Sequence, residues 1–220
     1  MKFCGVIFDL DGTLLDTIED ITTTLNLIMS RNRFRNYSIA ECKLLVGDGM
    51  EVLVKRAVPE IRHDPEAIKR LIQEYRKEYA RAWRKNSRPY PGILEILGQL
   101  KQAGIKTAVL SNKSHEFTEL MVKELLAFPF DVIRGAMPGV PVKPDPEPAH
   151  LVLKQLNLTA SEVVFVGDSS VDMETAVAAG IFPAGALWGF RGAQELLDSG
   201  ARVLLKKPSE LLPLILDQPE

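Results

Sequence analysis

Cysteine is scarce in this sequence: Cys4 and Cys42 are the only two in 220 residues. They supply neither a disulfide framework nor a metal-binding spacing. Cys4 sits in the first apolar run and reads as core, and both thiols suit a reducing cytoplasm. An excess of one charge is also missing. The 27 Lys and Arg face 29 Asp and Glu, for a formal charge of −2, so nothing draws the chain to nucleic acid or to an anionic membrane surface. No apolar stretch approaches the roughly 20 residues that span a bilayer. Asp9 and Asp11 interrupt the short apolar run near the N-terminus, which predicts no signal peptide and a cytoplasmic location. His63, His115 and His150 share no metal or triad spacing. There is no internal repeat and no low-complexity segment. What is present is ordinary for a globular protein, with 46% apolar and 25% charged residues. The length suits one large core, or one core with a small appended domain.

Two kinds of sequence alternate along the chain. Lys2–Phe8, Lys106–Ser111, Val163–Gly167 and Ala184–Trp188 are short apolar or small-residue runs. They suit strands covered on both faces, as in a parallel sheet. Helical patterns lie between the later runs. Ile93, Ile96, Leu97 and Leu100 share a face ahead of Gly104, a natural stop. Leu151, Leu153 and Leu156 belong to a second helix, and 176–179 to a third. This alternation predicts an α/β doubly wound, Rossmann-like core. Residues 17–86 break the rhythm. Ile18, Ile21, Leu25 and Ile28 form one helical stripe, and Ile68, Leu71, Ile72, Tyr75, Tyr79 and Trp83 a longer one. Glu51–Val58 reads as a short helix ending before Pro59. The expectation is a helical cap over 17–86, inserted after the first strand, with the core formed by 1–16 and 87–220. A simple parallel crossover needs only one helix.

Ligands of open parallel sheets bind at the carboxyl ends of the strands. Four segments fall there: Asp9-Leu10-Asp11-Gly12-Thr13, the Ser111–Ser114 stretch "SNKS", "VKPDPEP" with Lys143, and "VGDSSVDM" with Asp168 and Asp172. Four carboxylates brought together repel one another unless a hard cation sits among them. Mg²⁺ suits a few carboxylates, waters and a substrate phosphate. Lys143 adds a positive point charge, and Ser111 with nearby backbone N–H groups, ahead of a helix, can hold phosphate oxygens. Together these make an electrostatic clamp for phosphoryl transfer.

These four motifs, in this order, resemble those of the haloacid dehalogenase-like hydrolase superfamily. Within it, "YPGILEILGQLKQAGIKTAVLSNK", "GDSSVDMETAVAAGI" and "WGFRGAQELLDSGA" are similar to the phosphoglycolate phosphatase group. The resemblance implies that Asp9 is a nucleophile forming an aspartyl-phosphate. Asp11 then protonates the leaving oxygen and later activates water. It implies that Asp9, Asp168, the backbone carbonyl of Asp11 and, directly or through water, Asp172 hold Mg²⁺. Ser111 and Lys143 are implied to bind phosphate, and Asn112 to offer its backbone N–H. Gly12 allows a close turn, and Thr13 is either a turn residue or an orienter of Asp11.

The expected activity is Mg²⁺-dependent hydrolysis of a small phosphate monoester, with 2-phosphoglycolate favoured. A phosphomutase, or a pyrophosphatase or nucleotidase of the same superfamily, is the enzymatic alternative. A phosphate-binding or signalling module is the non-enzymatic one. A dehalogenase is disfavoured, because its chemistry needs neither Asp11 nor a metal. The expected partner is a small phosphorylated metabolite, with the protein a monomer or homodimer. In the cap, Gly47-Asp48-Gly49 lacks the third glycine of a dinucleotide fingerprint. It reads as a loop reaching for substrate, or as a plain helix–helix turn. Arg56 is a candidate for a substrate carboxylate, weighed against an ordinary surface arginine.

Overall fold

The computed structural model describes residues 3–61 and 63–216; Lys2, expected in the first strand, lies outside them. The described residues fall into two compact units, one formed by those up to Leu15 with those from Pro89 onward, the other by those within Asp16–Arg88. The sequence pattern puts the divisions at 16/17 and 86/87, one and two residues inside these bounds.

The first unit is built on a parallel sheet. Its strands are β1 (Gly5–Phe8), β4 (Lys106–Ser114), β5 (Val132–Ala136), β6 (Val163–Gly167), β7 (Phe182–Ala186) and β8 (Val203–Leu205). Among the described residues their order is β5-β4-β1-β6-β7-β8. The two remaining strands, β2 (Leu15–Asp16) and β3 (Arg88–Pro89), form a separate two-stranded sheet where the chain passes between the units. All four residues of β1 are buried, as a central strand covered on both faces requires. Phe8 aligns with Val109 of β4 and with Val166 of β6. The carboxyl ends of β1 and β6 therefore lie almost level, and β4, between β5 and β1, runs on past them. Helices α5 (Ile93–Gln102), α6 (His115–Met121), α7 (Glu147–Leu156), α8 (Ser170–Ala178) and α9 (Ala193–Asp198) separate the strands, and α10 (Leu211–Leu216) follows β8. Ile7, Ala108, Leu110, Val152, Leu156, Phe165 and Ala176 belong to one buried cluster, in which sheet residues meet α7 and α8.

Two strands of the six-stranded sheet went unread in the sequence. Only Val132 and Gly135 of β5 are buried, and the strand includes a charged residue, Arg134. The other, β8, has three residues. Both are sheet edges, where one-sided pairing removes the apolar pattern that marks a central strand. A further difference concerns "SNKS". It lies directly ahead of α6, as expected, but the strand does not end at Ser111: β4 runs through Ser114, with an irregular register between Leu110 and Ser114. Ser111 and Asn112 thus lie in a bulged strand end, a common device for re-aiming side chains beside a site.

The second unit is helical, with α1 (Ile18–Arg31), α2 (Ile39–Leu45), α3 (Met50–Ala57) and α4 (Pro65–Ala82). The expected stripes are its core: Leu25, Ile28, Leu71, Tyr75 and Tyr79 are buried. Asp64 caps α4 by accepting from the Ala67 N–H at 2.9 Å, with Pro65 at the first position, where its missing donor costs nothing. Helix α2 was not expected from its apolar pattern, yet its start carries a capping box. Ser38 accepts from the Glu41 N–H, and the Glu41 carboxylate accepts from the Ser38 N–H. The buried carboxylate of Asp20 accepts from both N–H groups of Asn86 and from the N–H and hydroxyl of Ser87, at 2.8–3.1 Å. It ties the beginning of the unit to its end. Gly47-Asp48-Gly49 is the turn between α2 and α3. Arg56 is engaged with that turn, its Nη1 lying 2.6 Å from Asp48 Oδ2 and donating to the Leu45 carbonyl at 3.1 Å.

Candidate active site

Asp9 follows the last residue of β1, and its N–H donates to the Val166 carbonyl of β6 at 3.0 Å. The next turn is tightly closed: Gly12 N–H donates to Leu15 O at 2.8 Å, and Leu14 and Leu15 N–H donate to Leu10 O. Gly12 has φ +92°, and a Cβ there would collide with the carboxylate of Asp168. Glycine is required both by the backbone and by the close approach.

The structure brings Asp9, Asp168 and Asp172 together, with one carboxylate oxygen of each within 4.8 Å of the others. All three are buried. Lys143, from the segment between β5 and α7, lies between two of them. Its Nζ is 2.7 Å from Asp9 Oδ1 and 2.6 Å from Asp172 Oδ1, and its side chain is 2% exposed. Burial opposes the lysine's charge, but Asp172 and Asp9 outweigh it and hold the ammonium above its usual range. Burial acts in the opposite sense on Asp9, pushing its pKa up to about 7 against the pull of Lys143, with Asp172 adding to the rise. Asp168 is likewise raised, first by burial and then by Asp172 and Asp9, although the Phe190 N–H and Thr13 hydroxyl oppose the shift.

One ammonium among three buried carboxylates leaves a net negative pocket, which adds to burial in raising the carboxyl pKa values. A divalent cation would remove it. The donors are hard oxygens, as Mg²⁺ prefers, so the residues present fit such an ion. Asp9, Asp168 and Asp172 would hold it, and it would supply positive charge to a phosphoryl oxygen.

The remaining residues brace this group. Thr13 is fully buried, and its hydroxyl donates to Asp168 Oδ1 at 3.0 Å. The sequence reading had Thr13 as a turn residue or an orienter of Asp11, whereas here its hydroxyl orients Asp168. Asp172 Oδ2 accepts from the N–H and hydroxyl of Ser169 at the start of α8, so this carboxylate serves the helix cap as well as Lys143. Asn112 acts through its side chain: Nδ2 donates to the Lys143 carbonyl, and Oδ1 accepts the Lys143 N–H, each at 2.9 Å. This two-point tie fixes the lysine's backbone. Ser111 is buried beside it, its Oγ accepting from the Lys113 N–H at 3.2 Å.

Asp11 stands outside the carboxylate group, and both of its oxygens accept from Lys113 Nζ, at 2.9 and 2.8 Å. Sequence reasoning missed Lys113, because a lysine near a strand end carries no periodic signal. It also left Gly189 and Phe190, in the segment after β7, without a role. There Trp188 Nε1 donates to the Thr13 carbonyl at 2.9 Å, and the Phe190 N–H donates to Asp168 Oδ2 at 2.7 Å. Between them, any side chain at Gly189 would collide with Asp168 and with the Gly12 carbonyl. The "WGFRG" string, with its glycines beside a tryptophan, was the available signal.

Residues 6–186 match the family described as haloacid dehalogenase-like hydrolase. The chain belongs to this family. Several relatives of the chain are named as phosphatases. A phosphoglycolate phosphatase of Pectobacterium atrosepticum is 32% identical over 216 residues, covering 96% of this chain and 92% of the relative. A phosphoglycolate phosphatase of Yersinia pseudotuberculosis is 30% identical over 214 residues, with the same coverage. A solved structure from Lactobacillus delbrueckii subsp. bulgaricus, provisionally named a phosphoglycolate phosphatase, matches with a TM-score of 0.92 at 31% identity. It covers 99% of this chain and all of that one. For this haloacid dehalogenase-like chain, the expected fold class therefore holds. Among the described residues, no helix is long and apolar enough to cross a membrane.

Proposed function

We propose that this protein is a Mg²⁺-dependent phosphatase that hydrolyses a small phosphate monoester, 2-phosphoglycolate, by way of an aspartyl-phosphate on Asp9. The observation that carries this reading is the buried group of Asp9, Asp168 and Asp172 with Lys143 bonded to two of its members. An attacking carboxylate needs a dry, positively balanced place in which to meet a phosphate dianion, and a lysine with a divalent ion provides it.

In the first step an Asp9 oxygen bonds to phosphorus while the bond from phosphorus to the ester oxygen breaks. The leaving oxygen takes a proton from Asp11. In the second, water attacks phosphorus and gives its proton to Asp11, and the bond to Asp9 breaks, which restores the carboxylate. Lys143 balances charge on the phosphoryl oxygens, and Ser111 with the strand-end N–H groups orients them. Phosphoglycolate as substrate is supported by the names of the relatives. Selection of the leaving group is assigned to Gly47, Asp48, Gly49 and Arg56 on sequence grounds.

The test is kcat/KM over a panel of 2-phosphoglycolate, small sugar phosphates, pyrophosphate and nucleotides, each with Mg²⁺ and with EDTA. Phosphoglycolate should lead the panel, EDTA should abolish turnover and Mg²⁺ should restore it. A preference for nucleotides would remove the small-substrate reading, and full turnover in EDTA would remove the metal.

A further inference from the structure

We propose that Lys113 is a positioning residue for proton transfer: it holds the Asp11 carboxylate and supplies the countercharge that carboxylate needs once its proton has gone to the leaving group. The proposal rests on the phosphatase reading above. Its basis is geometric. Lys113 Nζ reaches both oxygens of Asp11, at 2.9 and 2.8 Å. The two side chains are only 11% and 14% exposed, so the pair is largely shielded from screening by water. A carboxylate held through both oxygens has one orientation, and a proton-transfer group must present its oxygen within hydrogen-bond reach of the reacting atom.

The surroundings support this assignment. The backbone on either side of Asp11 is fixed by the closed 10–15 turn, which leaves side-chain rotation as the freedom still to be restrained. Lys113 is anchored in turn, since its N–H donates to Ser111 Oγ. The bulged end of β4 thus serves the site at three consecutive residues. Ser111 faces the phosphate role, Asn112 fixes the backbone of Lys143, and Lys113 grips Asp11. Charge argues the same way. Two of the three buried carboxylates, Asp9 and Asp172, already share one ammonium at Lys143, and Lys113 brings a second ammonium to Asp11.

The balance over a turnover is simple. Protonated Asp11 keeps one oxygen for Lys113 and turns its O–H to the ester oxygen. As the bond from phosphorus to that oxygen breaks, the proton moves across, and both carboxylate oxygens become available to the ammonium. The water that later attacks phosphorus returns a proton to Asp11. Lys113 itself neither gains nor loses one.

Leaving-group dependence tests this directly. An alkyl phosphate such as 2-phosphoglycolate expels a poor leaving group that must be protonated. p-Nitrophenyl phosphate expels a stable phenolate that need not be. The value of kcat/KM reports the steps through Asp9 phosphorylation, in which only the alkyl ester depends on the acid. Lys113→Met should lower kcat/KM for the alkyl ester by about 100-fold, the lower end of the usual general-acid contribution. For p-nitrophenyl phosphate the loss should stay within about fivefold, far below that contribution. Lys113→Arg, which keeps a cation, should recover most of the alkyl activity. Retained turnover of the nitrophenyl ester doubles as the check on folding. Equal losses on both esters, or no loss on either, would overturn the assignment of Lys113 while leaving the phosphatase intact. A wild-type protein that hydrolyses neither ester would overturn the phosphatase reading and this proposal with it.

Discussion

Gly189 shows how much of the site depends on residues with no chemistry of their own. It sits against Asp168 and the Gly12 carbonyl, with no room for a methyl group, while its neighbour Phe190 donates its N–H to Asp168. Gly189→Ala should push Asp168 out of line. The half-saturating Mg²⁺ concentration in a phosphatase assay should rise about tenfold, as for other groups that orient metal ligands. The destabilisation should be about 1–3 kcal/mol in urea unfolding, the usual range for overpacking. Unchanged Mg²⁺ dependence would show that the contact is not felt by the metal side. The legibility of the site in sequence follows the same division. Asp9, Asp11 and Asp168 stand immediately after apolar runs, where a carboxylate is out of place unless it works. Lys113 and the hydroxyl of Thr13 act by contact across long sequence separations, as in the Thr13–Asp168 bond, and nothing local announces those partners.

Elements that join others carry the next level. Asp20 lies in the first turn of α1, yet its partners are Asn86 and Ser87 at the far end of the helical unit. Removing the acceptor leaves several buried donors unsatisfied. Asp20→Ala should therefore cost about 2–4 kcal/mol, read from the urea midpoint, and Asp20→Asn should cost less. A substitution without effect would mean that water replaces the carboxylate freely. Strands and helices were legible where burial imposed a period. The buried centre of the sheet, β1 and β6, and the long stripe of α4 were plain. The edge strands β5 and β8 were not, because one side of an edge is open and residues such as Arg134 are tolerated there. Helix α2 buries only Cys42 and so lacks a stripe, but its Ser38–Glu41 capping box was readable.

For the molecule as a whole, the carboxylate group sets how stability responds to pH. Asp9, with a folded pKa of about 7, and Asp168, also raised, bind protons in the folded state that the unfolded chain has already lost. Stability of the metal-free protein should be fullest below about pH 4, the ordinary carboxyl range, as far as this group is concerned. It should fall as pH rises through 7. Lys143, whose pKa moves up, stays charged throughout and adds no slope. Mg²⁺ binds the deprotonated group, so its gain in melting temperature should be larger at pH 8 than at pH 5. Thermal unfolding with and without Mg²⁺ at the two pH values checks this, and an equal gain at both would contradict it. The two-unit organisation was legible because a strand-free stretch with two strong helical stripes interrupts an otherwise alternating chain.

The central claim is that Asp9 carries the phosphoryl group, and chemical trapping tests it most directly. The enzyme is mixed with substrate and Mg²⁺, quenched in acid and reduced with borohydride, which converts an acyl-phosphate to the corresponding alcohol. Peptide mass spectrometry should find homoserine at position 9, dependent on substrate and Mg²⁺, and Asp9→Asn should neither trap nor turn over. Phosphate release by the wild type with no reduced residue at position 9, together with an active Asp9→Asn variant, would contradict the account.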